Sequence, residues 1–267
     1  MSNDILKRNH ELMQIQQIRN ATLRITYAGK IFITDPYLAG KHTMPSNKGI
    51  SPNPLVDLPC SEHDVVEGID TALISHIHSD HFDPTAQRLL QKSIPIFCQP
   101  GDESEIKATG FRNVIPVNES FNWEGIAIMR TLARHGTGDV LKEMGNASGF
   151  VLRSENEPTV YWAGDTIWCE AVDDVIAQIQ PDIIITHSCG AVWGNNILIV
   201  MDAVQTIAVC RAAPKAVVVA THMEALDHAT VSRADLRALA EVEDIKPSQL
   251  LIPYDGEILK FNKRSET

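Results

Sequence analysis

The stretch SHIHSDHFDP, residues 75–84, constrains this chain more than any other feature. It places His76, His78, Asp80 and His81 within six residues of a chain that holds only ten histidines. The apolar run before it, GIDTALI, is typical of a buried strand, and the segment DPTAQRLLQK after it predicts a helix opened by an N-cap aspartate and a proline. The four side chains therefore lie on a strand-to-helix loop, where they can face one cavity.

Imidazole and carboxylate groups at this spacing are candidate metal ligands. Side chains two apart at a strand end point the same way, so His76 and His78 can bind one ion. Asp80 and His81 follow on the turn, and a single ion cannot easily use all four groups. The spacing suggests two adjacent metal ions, with zinc as the default and iron, manganese or nickel as alternatives.

The composition indicates a globular chain and opposes several kinds of partner. Hydrophobic residues make up 44% of the 267 positions, and no break in composition divides the chain, so we predict one domain over residues 1–267. A net charge of -11 without a Lys/Arg run opposes a nucleic-acid partner, and no apolar stretch is long enough to span a membrane. We expect a small-molecule substrate, and homo-oligomer formation stays open.

The amino-terminal segment and the cysteines bear on the compartment. The first residues are polar and charged and lack the apolar core of a secretory signal. The five cysteines are scattered and never form a C-x-x-C pair, which favours reduced thiols. We therefore predict a cytoplasmic protein without disulfides.

Strand-like apolar runs alternate with helical patterns along the chain. ATLRITYA and KIFITD predict a hairpin that turns near Gly29, followed by a loop rich in Pro, Gly, Asn and Ser from Pro36 to about Pro59. Later strands such as DIIIT and KAVVVAT alternate with helices, and a closing strand pair is predicted around LLIPYDGEILKF. The pattern predicts two similar halves of mixed sheet covered by helices, an α/β layered architecture.

Four further candidate ligands stand at the ends of predicted strands. GIAIMRTLA ends at His135, TVYWA at Asp165, DIIIT at His187 and KAVVVAT at His222. A lone histidine at a strand end is more often a hydrogen-bonded structural residue than a ligand. Four such residues, together with the ready-made loop, favour a metal site.

With these residues in place, the sequence resembles the metallo-β-lactamase-fold superfamily, and within it the metal-dependent hydrolases similar to ascorbate-6-phosphate lactonase. The matching features run in order over nearly the whole chain: TDP at Asp35, ISHIHSDHFD, His135 after a strand, GFVL followed by TVYWAGDT, and ATHMEA. The resemblance implies an αββα four-layer sandwich with a dinuclear site at one edge of its two sheets.

The resemblance also implies a role for each candidate ligand. The first ion would be held by His76, His78 and His135, the second by Asp80, His81 and His222, and both by Asp165. Asp35 would orient ligand imidazoles by hydrogen bonding, with a plain turn residue before Pro36 as the alternative.

The last ligand is ambiguous, because His187 and His222 both end apolar strands. His222 is favoured since it follows the last strand-helix unit, where the family's final histidine lies. Related chains usually carry a small residue at the position of His187, so contact with the substrate, contact with a ligand, or a structural role all stay open for it.

Two such ions would generate a hydroxide at neutral pH and stabilise the oxyanion that forms when it attacks. Neither a G-x-S-x-G motif nor a His-paired cysteine is evident, so serine or thiol catalysis is a poor rival. We predict a dinuclear metal-dependent hydrolase whose metal-bridging hydroxide attacks a small ester, lactone or related substrate, with Asp80 or Asp165 able to carry protons. The alternatives are a phosphodiesterase of the same fold and a non-hydrolytic metal-binding scaffold.

The walls of a substrate pocket are expected from residues 36–60, 135–146 and 188–196. Trp193, Asn195 and Asn196, in the stretch SCGAVWGNN, are the candidate substrate contacts. His228 could neighbour the site, but a surface loop is the favoured interpretation.

Overall fold

Two seven-stranded β-sheets, packed face to face, form the centre of the protein. The computed structural model describes residues 12–262. The strands are β1 Met13–Arg19, β2 Thr22–Tyr27, β3 Lys30–Thr34, β4 Thr71–Ile74, β5 Pro95–Cys98, β6 Asn113–Pro116, β7 Ser120–Trp123, β8 Ile126–Ala133, β9 Ala147–Arg153, β10 Val160–Trp162, β11 Ile183–His187, β12 Val192–Trp193, β13 Ile197–Leu198, β14 Val217–Thr221, β15 Leu250–Leu251 and β16 Ile258–Phe261. The helices are α1 Glu62–Val66, α2 Pro84–Leu89, α3 Glu103–Ala108, α4 Gly138–Met144, α5 Glu170–Ile179, α6 Ala203–Ala212 and α7 Arg233–Val242.

The two sheets repeat one plan. The first has the order β16-β1-β2-β3-β4-β5-β6, the second the order β15-β14-β11-β10-β9-β8-β7, and β12 and β13 form a separate ribbon. In the first sheet the pairs from β16 to β3 are antiparallel and those from β3 to β6 parallel. In the second sheet the pairs from β7 to β10 are antiparallel and those from β10 to β15 parallel. The predicted pair of similar halves is therefore confirmed.

Three apolar clusters hold four layers together. One lies between the sheets, where side chains such as Phe97 of the first sheet join Trp162 of the second. Helices α1 to α3 pack on the outer face of the first sheet, and helices α5 to α7 on the outer face of the second. The layers run helix, sheet, sheet, helix, which confirms the αββα sandwich.

Alternation along one strand shows why the central strands are apolar throughout. In β11, Ile183 and Ile185 enter the cluster between the sheets, whereas Ile184 enters the cluster under the helices. Both faces of this strand are buried, as is usual for parallel strands covered on each side. A continuous apolar run such as DIIIT is the sequence signature of that position.

The predicted hairpin and the predicted start of α2 are confirmed: β2 and β3 turn at Ala28 and Gly29, and Asp83 caps α2 through its carboxylate. Helix α7 begins with a capping box formed by Ser232. Among residues 12–262, no helix has the length and apolar character that a membrane span would need.

The predicted closing strand pair is wrong. β15 pairs in parallel with β14 of the second sheet, and β16 pairs antiparallel with β1 of the first. The connection between them crosses from one sheet to the other instead of turning back as a hairpin. Strand β1 was not predicted, although its alternation places Met13 and Ile15 in the central cluster.

Candidate metal centre

The predicted ligands follow strand ends that meet at one edge of the two sheets. In the first sheet Asp35 follows β3, and the loop that begins at His76 follows β4. In the second sheet His135, Asp165 and His222 follow β8, β10 and β14. These strands run in the same direction within each sheet, so their carboxyl ends bring side chains distant in sequence to one place.

A first cluster is formed by three imidazoles. His76 Nε2 lies 2.9 Å from His78 Nδ1, and the ligand atoms of these two and of His135 all lie within 4.8 Å of one another. The Nδ1 atom of His76 lies 2.9 Å from Ser75 Oγ, and that of His135 donates to the carbonyl of Ile199 at 2.9 Å. Their Nε2 atoms are thus left to face the cluster.

A second cluster joins His81, His222 and Asp80. His81 Nε2 lies 3.3 Å from His222 Nε2 and 3.4 Å from Asp80 Oδ2, and His222 Nε2 lies 3.6 Å from the same oxygen. His222 adopts a left-handed backbone with φ of 63°, which is uncommon for a residue other than glycine. Its N–H donates to the carbonyl of Asn20 at 2.9 Å, which holds this strained backbone in place.

Asp165 lies between the clusters. Its Oδ2 is 3.2 Å from His81 Nε2, 3.5 Å from His135 Nε2 and 4.0 Å from His76 Nε2. The preceding Gly164 has a φ of 67°, and a Cβ there would lie 2.5 Å from the carbonyl oxygen of Ser148. Only glycine fits this turn, which directs the carboxylate between the two histidine clusters.

The donor set fits metal ions. Five imidazoles and two carboxylates converge at spacings close to those of ligands that share one ion, since zinc lies about 2.0–2.1 Å from an imidazole nitrogen. In the first cluster burial keeps His76 and His135 neutral, so their Nε2 lone pairs face the same space, and a cation there relieves the repulsion between them. The predicted ligand roles remain predictions, but the structure brings all seven side chains together.

Burial and charge set the protonation of the centre. Burial lowers the pKa of His76 well below its usual value and that of His135 to about 4. Burial would also lower the pKa of His81, but the carboxylates of Asp165 and Asp80 outweigh it and raise that pKa well above its usual value. Burial acts to raise the pKa of both carboxyls, yet the neighbouring histidines hold them well below their usual range. The carboxylates are therefore ionised, as metal binding requires.

Asp35 connects the outer sides of both clusters. Its Oδ1 accepts the backbone N–H of Ser75 at 2.7 Å, and its Oδ2 accepts from the Ser75 hydroxyl at 2.6 Å and from His81 Nδ1 at 2.7 Å. The same hydroxyl touches His76 Nδ1. One carboxylate thus orients an imidazole of each cluster, which is the geometry predicted for Asp35. Ser75, whose hydroxyl connects Asp35 to His76, was not among the predicted site residues, although it immediately precedes His76 in the sequence.

His187 contacts the carboxylate of Asp165 at its Oδ1 atom. The Trp162 indole N–H donates to His187 Nε2 at 3.0 Å, and an indole nitrogen can only donate. The ring proton of neutral His187 is therefore on Nδ1, which donates to Asp165 Oδ1 at 2.5 Å. Both ring nitrogens are engaged, although His187, Asp165 and His222 offer ligand atoms within 4.8 Å of one another. This geometry favours His222 as the ligand.

A cavity of about 280 Å³ opens beside the clusters. Each of the three predicted wall segments contributes to it, through Asn47, Met144 and Trp193 respectively. The whole lining is Asn47, His78, Ser79, Asp80, His135, Glu143, Met144, Asp165, Trp193, Ile199 and His228.

Asn195, a candidate substrate contact, lies apart from the cavity, whereas His228 belongs to its lining. Asn195 is exposed in the ribbon connection and is not among the residues that line the cavity. His228 was predicted on a surface loop, which is wrong, because it is only 6% exposed and lines the cavity. Trp193 does line it, and its indole donates to Glu143 at 3.0 Å.

Comparison with known proteins identifies the family. Residues 33–223 match the model of the beta-lactamase superfamily domain. This chain belongs to that superfamily. Over 93% of its length it is 37% identical to the whole of the UPF0173 protein YddR of Bacillus subtilis. A UPF0173 metal-dependent hydrolase of Xanthobacter autotrophicus is 26% identical, over 58% of this chain and 62% of that protein.

Solved structures of this superfamily resemble the whole chain. A possible metal-dependent hydrolase from Veillonella parvula superposes with a TM-score of 0.90 at 33% identity, over 94% of this chain and 100% of that one. An isothiocyanate hydrolase from Delia radicum gut bacteria has a TM-score of 0.87 at 33% identity, over 94% and 99%. The predicted fold, superfamily and enzyme class are confirmed: the protein is a metal-dependent hydrolase of the metallo-β-lactamase fold.

Proposed function

We propose that the protein is a dinuclear hydrolase of small, uncharged substrates with an electrophilic carbon. The observation that carries this proposal is the position of Asp165, whose Oδ2 lies 3.2 Å from His81 Nε2 and 3.5 Å from His135 Nε2. One carboxylate therefore contacts both histidine clusters. The ions, zinc by default with manganese or iron as alternatives, would be held by His76, His78 and His135, by Asp80, His81 and His222, and by Asp165 between them. Such ions lower the pKa of a bound water and polarise the group under attack.

Side chains of the protein would transfer the proton and line the substrate site. Asp80 lines the cavity, and its side chain is 15% exposed, whereas that of Asp165 is 4% exposed. Asp80 is thus the more accessible ionised carboxylate, and it can accept a proton from water and return it to the leaving group. Met144 and Ile199 contribute apolar side chains to the lining of the same cavity.

The lining of the cavity favours an uncharged substrate. None of the residues that line it is a lysine or arginine, and Glu143 adds a negative charge. Phosphate groups are bound in proteins by arginine, lysine or several backbone N–H groups. Trp193 and Met144 instead offer an apolar surface to the substrate. This supports an ester or lactone over the phosphodiester alternative, and over a phosphorylated lactone.

Isothiocyanates are a second candidate class, because a structure similar over nearly the whole chain is an isothiocyanate hydrolase. An isothiocyanate is small and uncharged, and its electrophilic carbon lies between nitrogen and sulfur. Addition of water to that carbon, followed by breakage of the carbon–nitrogen bond, gives an amine and carbonyl sulfide. The same cavity and the same proton carrier would serve this reaction.

The test is a substrate panel with zinc-, manganese- and iron-loaded protein. It contains δ-valerolactone, p-nitrophenyl acetate, benzyl isothiocyanate and bis-p-nitrophenyl phosphate. All five cysteines lie within the described residues and only Cys60 is exposed, so a Cys60→Ser background prevents its direct modification by the isothiocyanate. We expect hydrolysis of at least one uncharged compound and loss of that hydrolysis in Asp165→Asn. Hydrolysis of the phosphodiester alone would select the phosphodiesterase alternative, and ligand binding without turnover would select the scaffold.

A further inference from the structure

The segment 46–51 wraps around the carboxylate of Asp227. Four of its backbone N–H groups donate to that carboxylate at 2.9 to 3.3 Å, and the Ser46 hydroxyl donates to it as well. Asn53 completes the arrangement, because its amide nitrogen donates to Asp227 Oδ1 at 3.1 Å and its Oδ1 accepts the Asp227 N–H at 2.9 Å. Successive N–H groups that converge in this way form a binding site for an anion, so the shape of this segment depends on Asp227.

This anchored segment places Asn47 against the cavity. Asn47 lines the cavity, and its amide nitrogen lies 3.1 Å from His228 Nδ1. An amide nitrogen only donates, so Nδ1 of His228 is the acceptor and the proton of the neutral ring is on Nε2. Burial lowers the pKa of His228, which keeps the ring neutral.

His228 has one free polar atom. The residue is only 6% exposed and lines the cavity together with Asp80 and Asp165. With Nδ1 turned to Asn47, the nitrogen left to face the cavity is Nε2, and nothing in residues 12–262 forms a hydrogen bond with it. His228 is also outside the groups whose ligand atoms converge as a metal site within those residues. A donor without a protein partner, on a residue that is more than nine-tenths buried and lines the cavity, is suited to an acceptor on the substrate.

We propose that His228 is a substrate-binding residue whose Nε2–H donates to the acceptor atom of the substrate, and that Asn47, anchored by Asp227, keeps the proton on Nε2. The acceptor would be an oxygen of an ester or lactone, or the nitrogen or sulfur of an isothiocyanate. This inference rests on the proposed function, because it names a contact that the hydrolase makes with its substrate.

The test compares His228→Phe, which removes the donor, with His228→Gln, whose amide nitrogen can replace it. His63→Phe is the matched control, since His63 is an exposed histidine in α1. Loss of one donor to the reacting group of a substrate typically lowers kcat by about 10²- to 10³-fold. We expect His228→Phe to retain the wild-type metal content and to lose about 10²-fold in kcat/KM, His228→Gln to regain at least tenfold of that loss, and the control to be unchanged. A fully metal-loaded His228→Phe within threefold of wild type would overturn the proposal.

A measurement that needs no turnover separates this proposal from the proposed function. Long-range ¹H–¹⁵N NMR of metal-loaded protein should show the His228 proton on Nε2, and a proton on Nδ1 would refute the role of Asn47. If the wild type hydrolyses no member of the panel, the proposed function fails. δ-Valerolactone is then titrated into wild type as a stable ligand: a shift of the His228 Nε2 signal supports the donor role, and an unmoved signal overturns it.

Discussion

The most informative perturbation compares His187→Phe with His222→Phe. Both side chains are buried, at 1% and 2% exposure, and both lie beside Asp165. Phenylalanine keeps an aromatic ring at each position and removes the nitrogens. The geometry gives the two histidines different tasks, because His187 connects Trp162 to Asp165 whereas His222 Nε2 faces the second cluster.

The cost of His187→Phe can be worked from its two hydrogen bonds. The Trp162 N–H would stay buried without an acceptor, which costs about 1–3 kcal/mol, and Asp165 would lose a bond to a charged group worth about 1.5–3 kcal/mol. The sum is about 2.5–6 kcal/mol if the two terms add. Bound ions would supply replacement charge to Asp165, so the loss should be smaller in metal-loaded protein.

The assay is guanidinium unfolding of both variants with and without chelator, together with metal analysis of saturated protein. We expect His187→Phe to keep two ions but to lose stability, most clearly when the ions are removed. His222→Phe should keep one ion and lose nearly all activity. If His187→Phe loses an ion while His222→Phe keeps both, the ligand assignment moves to His187 and the reasoning from the Trp162 hydrogen bond is refuted.

Three further predictions follow from the same geometry. Protein saturated with zinc or manganese should contain about two ions per chain by elemental analysis, and one or none would exclude a dinuclear centre. Asp165→Asn should weaken metal binding and lower hydrolysis by several orders of magnitude while circular dichroism stays that of the wild type; full activity would exclude the bridging role. Burial raises the pKa of Asp102 from 3.8 to about 6, so its contribution to stability is present below about pH 4 and is lost as the pH rises through 6. Asp102→Asn should therefore gain stability relative to wild type between pH 4 and pH 6 in denaturant titrations, and a pH-independent difference would contradict the shift.

Much of this fold could be predicted because local patterns determine it. The apolar run of β11 identifies a strand buried on both faces, and the aspartate-proline start of α2 identifies a helix. Alternation of such strands with helices brings strand ends to one edge, so the convergence of His76, His135 and Asp165 follows from their places in the chain.

The pairing of strands that are distant in the sequence could not be predicted from local patterns. Strand β1 alternates only from Met13 to Gln16, because a bulge between Gln17 and Arg19 interrupts the pattern, and one of its two partners, β16, lies at the far end of the described chain. The segment LLIPYDGEILKF resembles a hairpin locally. Its two strands separate because each finds an edge in a different sheet.

The chemistry of individual histidines was decided only by the tertiary structure. His187 and His222 end similar strands, and what distinguishes them is the Trp162 N–H, which leaves His187 no nitrogen for an ion. His228 faces the cavity through Nε2 because Asn47, 181 positions earlier, occupies its Nδ1. The sequence determined which side chains could bind metal, since residue type and strand position are local properties. Their protonated atoms and their contacts depend on neighbours that only folding brings within hydrogen-bond distance.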